Sequence, residues 1–386
     1  MINYLPHDFI VNLVYFQLVV LAVILSNLLL LHRSRKHAPP DDLPMVSILV
    51  PARNEEENIG RCIQSLLAQD YPSFEILVLD DQSSDRTPAI LMQMVNSQPG
   101  LKVLAGKPLP EGLSGKNWAC SQLAHQAQGD LLFFTDADTI HQPQTLRATV
   151  TAFKGEQADL LTGFPRQQVN TWGERLLVPF FPWASLSFIP LWLAYKFRLQ
   201  ALAVSVGQMM LFRREAYELI GGHDSLGTAI VDDLILTRKI KAAGLRWRVV
   251  SLSDLITCRM YHGGREAVNG FTKNLFAAFD FRLLFYLFAY LWLFVLFWVP
   301  LISLATFPFG QTPTAQIDDL VICIGLSLLI WLIPYIEIGI PLYMGLLYPL
   351  TILANEVVAF RSLLFSLTNR LSWKDRPLGR SKYKWM

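Results

Sequence analysis

Charged residues are scarce in this 386-residue chain, at 17% against roughly a quarter in an ordinary soluble domain. The charges nearly cancel, 33 Lys and Arg against 31 Asp and Glu, for a net of +2. So weak a field argues against a nucleic-acid partner. Cysteine is sparse too: Cys62, Cys120, Cys258 and Cys323 lie far apart with no Cys-x-x-Cys spacing. That pattern argues against a zinc site or a disulfide framework and suits a reducing compartment. Internal repeats and low-complexity tracts are absent. The first eight residues hold Asp8 but no Lys or Arg, so a cleaved signal peptide with its basic start is not expected.

Hydrophobic residues are abundant, at 52%, and the surplus sits at the two ends. Phe9–Leu31 is long enough to span a bilayer, with Asn12, Gln17, Ser26 and Asn27 as its polar interruptions. The basic run His32, Arg33, Arg35 and Lys36 follows it. The positive-inside rule therefore makes residues 1–35 a transmembrane anchor, with the N-terminus outside and the following chain in the cytoplasm. Residues 38–44, with three prolines and two aspartates, form an expected stiff linker. A C-terminal membrane region occupies 283–367. Leu283–Phe307 and Leu320–Ile340 are expected spans separated by a polar loop, Gly310–Asp319. Pro341–Leu367 carries Asn355, Glu356 and Arg361, and is compatible with a span, a dip into the bilayer or a surface helix. The tail, 368–386, holds Lys374, Arg376, Arg380, Lys382 and Lys384 and is expected in the cytoplasm. Three crossings after a cytoplasmic domain would leave that tail on the wrong side, a conflict the sequence leaves open.

Between the membrane segments, strand and helix patterns alternate. Apolar runs at Met45–Val50, Phe74–Leu79, Leu101–Leu104 and Leu131–Thr135 predict buried strands. Helices are expected over Asn54–Ala68, from about Thr87-Pro88 with Ser84 or Asp85 as its cap, and over Trp118–Gln128. Glu55, Glu56 and Glu57 are expected in the first turn of the first of these. Such alternation implies an α/β domain with a largely parallel sheet, whose ligands gather at the carboxyl ends of the strands. Val178–Leu199, apolar and aromatic but broken by Pro179, Pro182 and Pro190, is expected as an interfacial helix pair, or else as a buried core helix.

Acidic pairs fall at those strand ends. Asp136 and Asp138 close the run LLFFT and make a seat for a hard divalent cation, Mg²⁺ or Mn²⁺, beside phosphate; Asp in such a turn also serves plain capping. Asp80 and Asp81 end the neighbouring strand and can accept hydrogen bonds from a ribose or a base, or from their own turn. Gly115 permits close backbone approach and Lys116 offers a cation for phosphate. Asp232 and Asp233 open a helix, where a carboxylate either complements the helix dipole or acts as general base toward a hydroxyl. Together these point to an enzyme using a nucleotide-activated donor at a membrane surface.

The segments VSILVPARNEEENI (46–59), LDDQSSDRT (79–87), FTDAD (134–138) and Asp232-Asp233-x-x-Leu236 resemble, in order and spacing, the inverting glycosyltransferases of family 2. The similarity covers about 45–280 and implies the nucleotide-diphospho-sugar transferase fold called GT-A, here with flanking transmembrane helices. It implies that Pro51, Ala52 and Glu55 border the nucleoside pocket and that one of Asp80 and Asp81 holds the base or ribose. Asp136 would then sit near ribose and sugar, Asp138 would bind the metal, and Asp233 would be the base. Asp232 stands where the family usually has Glu, and Gly207 in SVGQMMLFRR (205–214) resembles the acceptor-side wall. GKNWAC (115–120), RMY (259–261), GFTKN (270–274) and WKDR (373–376) resemble the membrane-anchored branch associated with carotenoid and hopanoid glycosylation, and more distantly ceramide glucosyltransferases. No Gln-x-x-Arg-Trp motif is present. The resemblance thus implies a UDP- or GDP-sugar donor and a single transfer to a lipid acceptor. A hydroxylated carotenoid or other isoprenoid is the first expectation, and polyprenyl phosphate or diacylglycerol the alternatives; a scaffold with a degenerate domain is the non-enzyme alternative. Arg259, Arg265 and Lys273 are expected on the donor or membrane side.

Overall fold

The computed structural model describes residues 7–33, 37–38, 40, 42–96, 98, 100–309, 317–368, 370–373, 376–377 and 383–385. Arg35, Lys36, Lys374, Arg380, Lys382 and most of the polar loop at 310–319 lie outside the described residues. After a first helix, α1 (His7–Arg33), the four apolar runs become β1 (Val46–Ala52), β2 (Phe74–Asp80), β3 (Leu101–Ala105) and β4 (Leu131–Thr135). Helices α2 (Ile59–Leu67), α3 (Thr87–Val95) and α4 (Gly115–Gln126) connect them, so β3-β2-β1-β4 pair in parallel.

The second half adds β5 (Thr139–His141), α5 (Thr145–Gly155) and β6 (Leu160–Gln167), then three short helices, α6 (Trp172–Leu177), α7 (Phe180–Phe188) and α8 (Leu191–Lys196). It continues through β7 (Met209–Arg213), α9 (Arg214–Leu219), α10 (Asp232–Ala242), β8 (Trp247–Cys258) and α11 (Gly264–Ala278). The sheet order is β3-β2-β1-β4-β7-β6-β8-β5. It is mixed, because β7 lies antiparallel to both β4 and β6 and β5 antiparallel to β8.

One sequence expectation is corrected. Glu55–Glu57 do not form the first turn of α2, which starts at Ile59. Asn54 takes a left-handed φ of 51°, and the next two amides turn outward. Glu55 N–H donates to Thr87 Oγ1 at 2.8 Å and Glu56 N–H to Asp85 Oδ2 at 3.0 Å. The loops after β1 and β2 are thereby laced together, and side-chain acceptors from one loop take amides that a helix's first turn would leave without a backbone partner.

The C-terminal helical region is α12 (Leu283–Thr306), α13 (Ile317–Ile338), α14 (Tyr343–Leu346) and α15 (Tyr348–Leu367). Four helices, α1, α12, α13 and α15, are long and apolar enough to cross a membrane. The polar residues of α1 find specific partners there. Gln17 Nε2 donates to Ser327 Oγ at 2.9 Å, and Asn27 holds the break between α7 and α8 through Leu186 O, Ile189 O and the Leu191 N–H. Trp183 of α7 stacks on Trp331 of α13 with centroids 3.7 Å apart. The segment 178–199 is thus a helix pair, with α7 seated against the membrane helices. One apolar core continues from the β1–β4 face of the sheet through α4 and α7 into α1, α12 and α13. A second core under α2, α3 and α5 covers the other face.

Helices α1 and α13 run parallel, since His7 meets Asp319 at 3.4 Å at one end and His32 meets Glu337 at 2.9 Å at the other. After α13 the chain emerges at Gly339, packed on the Arg166 guanidinium of β6. Helix α15 then runs antiparallel to the first half of α12: Tyr348 lies 5.8 Å from Phe297, and Tyr286 donates to Ala359 O at 2.8 Å. Further along, the Phe276 N–H of α11 donates to Ser362 Oγ at 3.1 Å. The C-terminal residues return to the same level, where Lys384 O accepts the Leu283 N–H at 2.8 Å and Lys384 Nζ pairs with Asp280 at 2.7 Å.

Candidate active site

A cavity of about 770 Å³ opens at the carboxyl ends of β1 and β4 and reaches to α7, α10 and α11. At one end it is walled by Pro51, Ala52, Arg53, Glu55 and Asp81. The loops there are rigidly tied. Asp81 N–H donates to Ala52 O at 2.8 Å, and Arg53 Nη1 donates to Asp81 O at 2.6 Å and Gln82 O at 3.1 Å. Asp80 does not line the cavity; its carboxylate accepts the Ser83 N–H at 3.3 Å, a turn role. Of the two residues expected to share a ligand role, only Asp81 faces the space.

The centre is a chain of charges. Ser114 caps α4 by accepting the Asn117 N–H, which brings Lys116 into the first turn rather than onto a loop. Lys116 Nζ lies 2.8 Å from Asp136 Oδ1 and 3.8 Å from Asp232 Oδ2. Burial works against the Lys116 charge, but the two carboxylates hold its proton affinity well above the ordinary lysine range. Burial likewise opposes the Asp232 charge, and Lys116 with His223 keeps it well below the usual carboxylate range.

Asp138 has the opposite environment. Its Oδ1 is buried without a hydrogen-bond partner, and its pKa is pushed up to about 8 by burial, then by the charges of Asp136 and Glu55. Such a buried carboxylate oxygen is chemically suited to a cation. Among the described residues, no three His, Cys, Asp or Glu side chains cluster closely enough to cage a metal by themselves. The donor set therefore fits a hard ion held by Asp138 with its remaining positions left to phosphate and water, the usual habit of Mg²⁺.

Asp233 stands toward the apolar end. Its pKa is raised to about 7 by burial and then by the neighbouring Asp232 charge, which suits a general base near neutral pH. Its Oδ1 accepts the Leu234 N–H at 2.7 Å. Gly207 faces it, with a Cβ position there only 3.5 Å from the carboxylate. Beyond lie Val178, Phe181, Phe271 and Leu275, an apolar wall from α7, α11 and the α6–α7 junction.

Residues 47–221 match the family described as Glycosyl transferase family 2. The chain carries a family 2 glycosyltransferase domain. Among curated relatives, the beta-monoglucosyldiacylglycerol synthase of Synechocystis sp. is 30% identical over 219 residues, covering 53% of this chain and 42% of the relative. The 4,4'-diaponeurosporenoate glycosyltransferase of Staphylococcus haemolyticus is 27% identical over 235 residues, 60% of each chain. The chain thus spans less than two thirds of the length of these relatives. Among solved structures, a mannosyltransferase from Pyrobaculum calidifontis in complex with GDP-Man and Mn²⁺ is 18% identical, with a TM-score of 0.48 over 92% of this chain and 99% of that one.

Pro51, Ala52, Glu55, Asp81, Lys116, Asp136 and Asp138, from the matched residues, meet Asp232 and Asp233, which lie beyond them, at one cavity. Lys273 joins them at its α11 wall, whereas Arg259 points to Glu174 at 3.6 Å and lines a smaller neighbouring space. Arg265 lines neither. Three residues of this neighbourhood escaped sequence reasoning. Arg53 clamps the turn after β2, and His223 and Tyr217 stand behind Asp232. Only the Gly221-Gly222 break just ahead of His223 hinted at the latter pair.

Proposed function

We propose that the protein is an inverting, non-processive glycosyltransferase that moves one sugar from a nucleotide-diphospho-sugar to the hydroxyl of a membrane lipid. The observation that carries this reading is the continuity of one cavity, from the Asp81 end past Asp138 and Asp233 to an apolar wall whose Val178, Phe271 and Leu275 pack in one cluster with Tyr286 of α12 and Val358 of α15. The nucleoside of a UDP- or GDP-sugar would lie against Pro51, Arg53 and Asp81. Asp138 would hold Mg²⁺ or Mn²⁺, which when bound supplies stabilisation of the charge on the departing diphosphate. Lys116 neutralises Asp136, so the diphosphate does not meet two bare carboxylates beside it. The acceptor hydroxyl attacks the anomeric carbon from the face opposite the diphosphate. Its proton passes to Asp233, the new C–O bond forms, and the electron pair of the broken C–O bond leaves with the nucleoside diphosphate.

The acceptor tail would remain among Val178, Phe181, Phe271 and Leu275, in reach of the bilayer. A hydroxylated carotenoid or related isoprenoid is the first reading for this acceptor, favoured by the Staphylococcus relative. Diacylglycerol is the second, favoured by the Synechocystis relative. Mass spectrometry of lipids and pigments from cells with and without the gene separates them. A species lighter by one sugar in the deletion, with its aglycone accumulating, identifies donor sugar and acceptor together. Loss of a polysaccharide instead, with lipids and pigments unchanged, would rule out this function.

The same reading puts the catalytic domain in the cytoplasm and resolves the crossing conflict. With α15 returning along α12, only α1, α12 and α13 cross, and the tail stays with the domain. The four native cysteines are buried, so introduced cysteines can report sidedness. Phe309→Cys is expected to react with an impermeant maleimide in intact cells, and Thr368→Cys only after lysis. Labelling of Thr368→Cys in intact cells would show that α15 crosses.

A further inference from the structure

Behind Asp232 the fold holds a buried histidine that the reaction above leaves unused. Gly221 and Gly222, at φ values of 76° and 44°, fold the chain back over Tyr217 so tightly that a Cβ on Gly222 would strike the ring. Only glycine accepts both the φ and the contact. The fold-back aims the His223 N–H at Tyr217 Oη, 3.0 Å away, and sets the same oxygen 2.8 Å from His223 Nδ1. With the phenol proton directed at Nδ1, the ring proton sits on Nε2, the tautomer that turns an N–H toward the Asp232 carboxylate. That nitrogen faces Asp232 Oδ2 at 3.8 Å, the oxygen that Lys116 approaches at the same distance from the other side.

The imidazole is 2% exposed and packed between Phe134, 4.8 Å between centroids, and Tyr217. Burial disfavours its cationic form while Asp232 opposes that effect. A separation of 3.8 Å exceeds a hydrogen bond; it is a charge–dipole contact of the kind that tightens when a site fills. Asp224, the next residue, is engaged elsewhere, with Ser121 and His125, which leaves Asp232 as the acid that His223 faces.

We propose that His223, held in its Nε2–H tautomer by Tyr217, is a positioning residue that fixes Asp232 against Lys116 and so sets the orientation and charge environment of the adjacent base, Asp233. This rests on the transferase reading above. A merely structural histidine would affect stability and nucleotide binding; a positioning one affects turnover.

The test uses the full chain in detergent with UDP and GDP, each with Mn²⁺, as binding probes. Turnover is followed as nucleoside diphosphate release from UDP-glucose or GDP-mannose with vesicles of the host's total lipid extract. His223→Leu is expected to lower kcat about 30-fold with nucleotide affinity within about twofold. His223→Gln, which returns an N–H donor at similar reach, is expected to recover to within about threefold of wild type, and Tyr217→Phe to lose about fivefold. Gln no better than Leu, or a Leu variant altered only in stability and nucleotide binding, would overturn the proposal. If His223→Leu does not fold, Tyr217→Phe decides, because it removes a single oxygen and an unchanged kcat there is equally fatal. Wild-type protein that binds neither UDP nor GDP with Mn²⁺ and releases nothing from either donor removes the transferase reading itself, and this inference with it.

Discussion

Asp233→Asn is expected to lower turnover about 10³-fold while UDP or GDP affinity stays within about twofold, since amide and carboxylate match in size and only the base is lost. The same residue sets the acid limb of the pH profile. Asp233 must be ionised to accept the hydroxyl proton, and its pKa stands at about 7, so kcat/KM is expected to fall about tenfold per unit below that value. The neighbouring charge contributes to the shift, after burial itself. Asp232→Asn therefore moves the acid limb to lower pH, whatever it does to the plateau. The linkage to stability has the opposite sign to an ordinary salt-bridged carboxylate. The folded chain keeps the proton that the unfolded chain has already lost, so the Asp233 contribution to stability is complete in acid and is lost as pH rises through about 7. A profile flat from pH 5 to 8 would remove Asp233 from the role of base.

Asp138→Asn is expected to abolish metal-dependent behaviour at two levels. Turnover should drop by about 10²-fold or more. Independently of turnover, the gain in UDP or GDP affinity on adding Mn²⁺ should vanish, because the amide offers the ion a neutral oxygen in place of an anionic one. The orphaned, buried Oδ1 explains why Asp138 rather than Asp136 should dominate: Asp136 already has the Lys116 ammonium at 2.8 Å. Asp136→Asn is therefore expected to disturb Lys116 more than metal affinity. Mn²⁺-stimulated nucleotide binding that survives in Asp138→Asn would refute the metal assignment.

Much of the fold was legible because the signals were local. Apolar runs ending at Pro51, Asp80 and Asp136 specify buried parallel strands, and β1, β2 and β4 form where they lie; β3, with Lys102 in its run, forms as a partly exposed edge strand. The membrane helices follow from length and composition alone. The acidic pairs could be named because α/β topology makes strand carboxyl ends converge whatever the intervening loops do. Helix starts were less legible. The acidic triplet Glu55–Glu57 has the composition of a first helical turn, yet side chains of the loop 30 residues later take its amides instead.

The amino-acid sequence by itself determined the α/β architecture, the helices long and apolar enough to cross a membrane and the set of carboxylates. Which carboxylate does what was decided only by tertiary structure. Asp80 and Asp81 are adjacent and chemically identical, but the turn after β2 consumes one and presents the other. Asp136 and Asp138 differ because a lysine from α4 reaches the first and leaves Oδ1 of the second without a hydrogen-bond partner. Likewise, α15 is apolar and long enough to cross a bilayer, and only the tertiary structure lays it antiparallel along α12 and against α11. Proton affinity and hydrogen-bond supply depend on what surrounds a group in three dimensions, and contacts between residues far apart in the chain supply those surroundings.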